Sequence, residues 1–200
     1  MGARDSQSTR LDGVFLARHG ETDYNAEGRF QGLGAVGLNA RGRAQARELA
    51  ELAAAKDFRE LWSSPLVRAR QTAEIVGRRI GLEPIEDARL VETDTGDWTD
   101  RSFASVRAED PAGFAAFERA DPDWGYPGGE TFAHQTARVL EALVEIAARP
   151  ALPILVVCHG MAIRLVLAAQ GRPVPAVANA ALVDLDCSGA ASSSGRAPDF

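Results

Sequence analysis

The chain has 200 residues, a length that suits one domain with a substantial buried core. Its composition, 46% hydrophobic and 25% charged, is that of a soluble globular protein, and no apolar run approaches membrane-spanning length. A net charge of −6 argues against general attraction to nucleic acid or to an acidic membrane, so any bound anion must be held by a local cluster of cations. The first ten residues are polar and lack the apolar core of a signal peptide, which makes a cytoplasmic location the expectation. Cys158 and Cys187 have no metal-ligand spacing and read as reduced thiols, Cys158 in the core.

Strand-like apolar runs alternate with helical patterns, so an α/β domain over residues 1–187 is expected. The first strand covers residues 11–17 and ends at Arg18-His19-Gly20. After a Gly-rich loop over 28–37, Asn39 caps a helix whose apolar face carries Ala46, Leu49, Leu52 and Ala53. Residues 58–63 form a second strand. Ser64 and Pro65 then occupy the N-cap and first position of a helix with a stripe of Leu66, Ala69, Ala73, Val76 and Ile80, closed by Gly81. Residues 84–91 read as extended. The aromatic-rich stretch 93–129 reads as an irregular insertion that roofs a pocket, with Trp98, Phe103, Phe114, Phe117, Trp124 and Tyr126. Phe132, Thr136, Val139, Leu140, Leu143 and Ile146 mark one face of the next helix. The wholly apolar run 154–158 is a strand buried on both faces, ending at His159-Gly160, and a helix follows over 161–170. Residues 181–186 make a last strand, and the Ser-, Gly- and Ala-rich tail 188–200 reads as disordered.

Two of the three histidines occupy matching positions, each after an apolar strand and before a glycine: His19-Gly20 and His159-Gly160. Ligands in open α/β sheets bind beyond the carboxyl ends of the strands, so neighbouring strands would aim both imidazoles into one crevice. Arg18 precedes His19, and Arg68 lies in the first turn of a helix leaving that same edge. Guanidinium groups grip phosphate through paired, charge-assisted hydrogen bonds, and the helix after His159-Gly160 adds backbone N–H groups. Arg29, Arg70 and Arg107 are read as solvated, and His134, mid-helix, as a surface residue.

Arg18-His19-Gly20-Glu21-Thr22 resembles the R-H-G-E-T signature of the histidine phosphatase superfamily, the phosphoglycerate mutase-like fold. Further motifs follow in order: Asn25, Gly28-Arg29-Phe30-Gln31-Gly32, the segment from Ser63 to Ala73 that selects Arg68, Leu90-Val91-Glu92, Pro127-Gly128-Gly129-Glu130, and Val157-Cys158-His159-Gly160. The resemblance spans residues 14–186 and implies a three-layer α/β/α sandwich with a mostly parallel central sheet. It implies His19 as phosphoryl acceptor, Glu92 as proton donor, and Arg18, Asn25, Gln31, Gly32, Arg68, His159 and Gly160 as the phosphate site. Glu21 is assigned an orienting role; Glu130 would pair with an arginine or stabilise its helix start. Two departures stand near the substrate entrance: Ala35-Val36-Gly37-Leu38-Asn39 replaces the family's D-x-P-L-T, and Thr95-Gly96-Asp97-Trp98-Thr99-Asp100 replaces F-G-x-W-E-G.

The expected activity is hydrolysis of a small-molecule phosphomonoester without metal or other cofactor. Phosphoryl transfer asks mainly for positioning and for charge on the equatorial oxygens, which arginines and histidines supply. A cofactor-dependent phosphoglycerate mutase is the nearest rival, set back by the short insertion and the unstructured tail. A two-histidine metal site is disfavoured by the flanking arginines, and a non-catalytic phosphate-binding module by the full catalytic set. Which ester is used, and whether the chain forms a homodimer, stay open.

Overall fold

A computed structural model describes residues 11–186, which places Cys187 and the tail outside the described residues. Five strands form one sheet in the order β3-β2-β4-β1-β5: β1 Val14–Arg18, β2 Glu60–Ser63, β3 Pro84–Glu86, β4 Ile154–Cys158 and β5 Leu182–Asp184. Neighbours pair in parallel except β5, which runs antiparallel to β1 at the sheet's edge.

Because side chains alternate across a strand, each strand feeds two cores. Leu16, Ile154, Val156 and Cys158 pack on one face with helices α6 Phe132–Ala147 and α7 Gly160–Ala169. Ala17, Leu61, Leu155 and Val157 pack on the other with α2 Ala40–Ala54 and α3 Val67–Ile80. The result is the expected three-layer sandwich, and β4, buried at every residue, is its centre. Leu143 and Leu155 are fully buried, one in each core. Truncating either to Ala would cost roughly 2–5 kcal/mol.

Several elements depart from the sequence reading, each for a local reason. The first strand begins at Val14 rather than residue 11, because Asp12-Gly13 forms a turn with Gly13 at φ +77°. On α2 the buried positions are Gly42, Ala46, Leu49, Ala50 and Ala53, while Leu52 is exposed. Helix α3 starts two residues later than expected: Leu66 is its N-cap and, with an aliphatic side chain, makes no cap bond, while the Ser64 hydroxyl meets His159 as well as the Leu66 N–H. Gly81, at φ 75°, does close α3. Residues 84–91 are extended only through β3 and then enter a 3-10 turn at Ala88–Leu90. The stretch 93–129 is not irregular throughout. It holds a 3-10 turn at Gly96–Trp98 and helices α4 Phe103–Glu109 and α5 Pro111–Arg119. Ser102 and Asp110 cap those helices, and Pro111 opens the second. Its aromatic residues mostly pack on one another and on Met161 and Leu165, forming a third core rather than an open apolar lining. Trp98, for instance, meets the Tyr126 ring edge-on at 5.4 Å. A short helix, α1 Asp23–Ala26, completes the inventory. Among the described residues no helix is long and apolar enough to cross a membrane.

Candidate active site

Strand register brings the two histidines together. Arg18 of β1 pairs with Cys158 of β4, so the next residue of each chain segment leaves the sheet at the same edge. The His19 N–H donates to the Cys158 carbonyl at 3.1 Å, and the two imidazole centroids lie 5.2 Å apart. Both rings are buried. His19 Nδ1 lies 2.7 Å from the Gly20 carbonyl, which can only accept, so Nδ1 carries the proton and Nε2 keeps its lone pair. Burial, with the charges of Arg68 and Arg18, holds the His19 pKa well below its usual value near 6.5. A neutral ring with a free Nε2 is what a nucleophile requires.

His159 is tuned in the same direction by burial, Arg68, His19 and Arg18. Its Nε2 is 2.8 Å from Ser64 Oγ. That hydroxyl accepts from the Leu66 N–H at 3.3 Å and has no other acceptor than Nε2 among the described residues, which directs its proton there. His159 therefore carries its proton on Nδ1, a buried atom with no partner among the described residues.

Two guanidinium groups flank the rings. Arg68, 1% exposed, donates to the carbonyls of Gly34 at 3.0 Å and Gly32 at 2.8 Å, leaving Nε buried and unpartnered. Burial lowers its pKa to about 10, so it stays charged at neutral pH. Arg18 donates from Nη1 to the Val177 carbonyl at 2.5 Å, and its Nε is likewise unpartnered. A Cβ on Gly160 would lie 3.2 Å from that Nε, so glycine here lets Arg18 lie against the N-terminus of α7. Two cations and a positive helix end are thus gathered in a buried place, an arrangement that an anion stabilises.

The polar loops around this centre are tied to each other. Asn25 Oδ1 accepts from Thr22 N–H at 3.2 Å and from Asn179 Nδ2 at 3.2 Å, which leaves its own Nδ2 free to donate. Gln31 accepts the Thr22 hydroxyl at 2.9 Å, and Gly32, at φ +47°, turns its carbonyl to Arg68. A Cβ on Gly32 would lie 2.4 Å from Thr95 Oγ1. Glu21 braces the loop before α2, accepting from Asn39 Nδ2 at 3.0 Å.

Glu92 reaches the same edge from the other side. Its Oε1 accepts from Thr93 N–H at 3.0 Å and Gln135 Nε2 at 3.1 Å, and its Oε2 from Met161 N–H in the first turn of α7 at 3.3 Å. Its charge acts on both Arg18 and Arg68. Glu130 pairs with Arg138 at 2.7 Å, and its partner His134 is exposed, as expected. Arg29 is less free than expected: it lies over the Tyr24 ring and donates to the Asp100 carbonyl. Cys158 is buried with its thiol pushed up to about 12 by desolvation. Among the described residues, no group of three or more His, Cys, Asp or Glu could hold a metal ion.

Four contributors escape the sequence reading. Ser64 reads there as a helix cap. Gln135, fully buried, sits three residues after Phe132 and four before Val139, so helical spacing is the signal that a polar side chain points inward. Thr72 accepts from Gly20 N–H at 3.1 Å and donates to the Arg68 carbonyl at 2.8 Å. Asn179 donates to the His19 carbonyl at 3.2 Å, from a segment without regular structure that carries no signal.

A family model for the histidine phosphatase superfamily (branch 1) matches residues 14–192. A probable phosphoglycerate mutase GpmB from Klebsiella pneumoniae subsp. pneumoniae is 37% identical over 152 residues, covering 75% of this chain and 70% of that protein. The structure of a mycobacterial glucosyl-3-phosphoglycerate phosphatase in complex with VO3 is similar with a TM-score of 0.77 at 34% identity, covering 84% of this chain and 90% of that one. A phosphoglycerate mutase from Thermus thermophilus gives a TM-score of 0.72 at 32% identity, over 88% and 93% of the two chains. With a family match across nearly the whole chain, and two in-register strands each followed by His-Gly, the chain belongs to branch 1 of the histidine phosphatase superfamily.

Proposed function

We propose that this protein is a metal-independent phosphatase that hydrolyses a small-molecule phosphomonoester through a phosphohistidine on His19. The observation that carries the reading is the set of buried nitrogens around His19 without a partner among the described residues: Arg18 Nε, Arg68 Nε and His159 Nδ1. Buried donors without partners are costly, and an anionic oxygen array would satisfy all three. The related phosphatase was solved with VO3 and with inorganic phosphate, which supports the same class of ligand here.

In the first step, His19 Nε2 attacks phosphorus, the N–P bond forms and the ester P–O bond breaks. Arg18, Arg68, His159 and the Nδ2 of Asn25 hold the equatorial oxygens; Gln31, Gly32 and Gly160 complete the cradle. Glu92, as general acid, gives its proton to the leaving alkoxide. In the second step, a water attacks phosphorus and passes a proton to the Glu92 carboxylate. The N–P bond breaks, and phosphate leaves.

The metal-free reading is supported by charge, since Arg18 and Arg68 flank the histidines and would repel a cation. Mutase chemistry would use the same first step and return the phosphoryl group to another oxygen, and two of the relatives carry that name. Phosphate release from a panel of phosphomonoesters in the presence of chelator, with His19→Ala in parallel, separates these readings. Release by wild type alone is expected. No release, with 3-phosphoglycerate isomerised instead, would replace the phosphatase reading by the mutase one.

A further inference from the structure

Glu92 is not held in place by a helix or a strand. It follows the 3-10 turn Ala88–Leu90 in a segment without regular structure, so its position depends on side-chain bonds to its backbone. One side chain supplies most of them. Arg138, on α6, donates from Nη1 to the carbonyls of Arg89 at 2.7 Å and Val91 at 2.8 Å, and from Nη2 to the carbonyl of Glu92 itself at 3.1 Å. Its Nε and Nη2 each meet a Glu130 carboxylate oxygen at 2.7 Å. A guanidinium has five N–H donors, and these five contacts use them all. None is left for a substrate, which separates Arg138 from Arg18 and Arg68, each with an unpartnered Nε.

The clamp is fixed at its far end as well. Arg138 and Glu130 are only 14% and 10% exposed, so their pair is shielded from solvent. Burial opposes ionisation of Glu130, yet the bonds and charge of Arg138, with the bonds from His134 and the Asp94 N–H, together outweigh it and hold its carboxyl below the ordinary range. Glu130 also accepts from the Asp94 N–H at 3.4 Å, two residues beyond Glu92. Helix α6 grips the donor twice on one face: Gln135 bonds the Glu92 carboxylate, and Arg138, three residues on, bonds its backbone.

We propose that Arg138, braced by Glu130, is the positioning residue for the proton donor. It sets where the Glu92 carboxyl stands relative to the leaving oxygen while touching neither substrate nor phosphate. The proposal rests on the reading of Glu92 as that donor. A displacement of about 1 Å in such a group is enough to cost on the order of a hundredfold in rate. Lysine cannot replace the fork, because a single ammonium cannot span three carbonyls and a carboxylate in one plane.

The test compares wild type, Arg138→Met, Arg138→Lys, Glu130→Gln, Glu92→Gln and the Arg138→Met/Glu92→Gln double variant. The substrates are p-nitrophenyl phosphate, whose leaving group needs little protonation, and an alkyl phosphate, whose leaving group needs it. Arg138→Met is expected to lower kcat/KM, which reports transfer to His19 and not the Glu92-assisted hydrolysis shared by both esters, about thirtyfold or more on the alkyl ester and at most about threefold on p-nitrophenyl phosphate. Arg138→Lys should recover little of the loss, and Glu130→Gln should show the same split at smaller size. If Arg138→Met does not fold, Glu130→Gln carries the same expectation. The double variant should be no slower on the alkyl ester than Glu92→Gln alone, because Arg138 acts through Glu92. Equal losses on both esters in the Arg138 and Glu130 variants, or a double variant whose loss is the product of the two single losses, would overturn the proposal. Equal losses on both esters in Glu92→Gln would instead remove the donor reading, and the clamp's role with it.

Discussion

Gly20 and Gly42 meet backbone to backbone: a Cβ on Gly20 would stand 2.3 Å from the Gly42 carbonyl oxygen. The contact is mutual, since a Cβ on Gly42 would lie 2.0 Å from the Glu21 carbonyl oxygen. It seats the first turn of α2 directly on the His19-Gly20-Glu21 turn. Gly20 also provides the carbonyl that fixes the His19 tautomer. Close packing of α2 and orientation of the nucleophile are therefore one structural fact.

Gly42→Ala is expected to push that turn aside. Overpacking of this kind costs roughly 1–3 kcal/mol, which lowers Tm by about 2–4 °C for each kcal/mol in a chain of this size. Because the shift reaches the Gly20 carbonyl, kcat should fall by more than KM changes. Thermal unfolding and steady-state kinetics on the same sample check both parts. An unchanged Tm with wild-type kcat would show that the turn is not seated by this contact.

Ser64→Ala tests the tautomer assigned to His159. Removing the hydroxyl leaves a buried ring nitrogen without a partner, at about 1–3 kcal/mol, and frees the proton to move off Nδ1. The loss falls on the phosphate oxygens and not on the leaving group. Phosphate release should therefore drop about tenfold or more on p-nitrophenyl and alkyl phosphates alike, in contrast with the split expected of Glu92→Gln. Activity within about twofold of wild type would mean that Ser64 does not set the ring's protonation.

Much of this site is legible in the sequence, because the motifs sit where strand ends and helix starts force them together. His19 and His159 can be placed at one sheet edge from two apolar runs followed by His-Gly, and the β1–β4 register bears that out. What escapes is relational. Nothing local to Ser64 distinguishes a helix cap from a partner of His159, since both use the same hydroxyl. Arg138 looks like any polar residue on an amphipathic helix, and only the folded 89–92 segment supplies the carbonyls it binds. The aromatic stretch 93–129 misleads for a similar reason: short helices with caps at Ser102 and Asp110 leave little periodicity to read.

The buried histidines should also shape stability against pH. In the unfolded chain both titrate near 6.5, whereas in the fold burial and the neighbouring arginines keep both pKa values well below that. Above pH 6.5 neither state is protonated at these rings, and they impose no pH dependence. As pH falls through 6.5 the unfolded state takes up protons first, so stability is lost until the depressed folded values are reached. The slope is at most about 1.4 kcal/mol per pH unit for each histidine. Urea unfolding in phosphate-free buffer between pH 7 and pH 5.5 should show this loss, with a shallower slope for His159→Gln. A midpoint that does not move over that range would mean that the rings protonate as readily folded as unfolded.

In the proposed reaction phosphorus passes through a covalent bond to Nε2 of His19. Rapid quenching of the enzyme mixed with a 32P-labelled ester tests it most directly. A transient, acid-labile and alkali-stable phosphoprotein is expected, mapping to His19, absent from His19→Ala and decaying as inorganic phosphate appears. Full turnover with no phosphoprotein at any time, or label on a different residue, would contradict it.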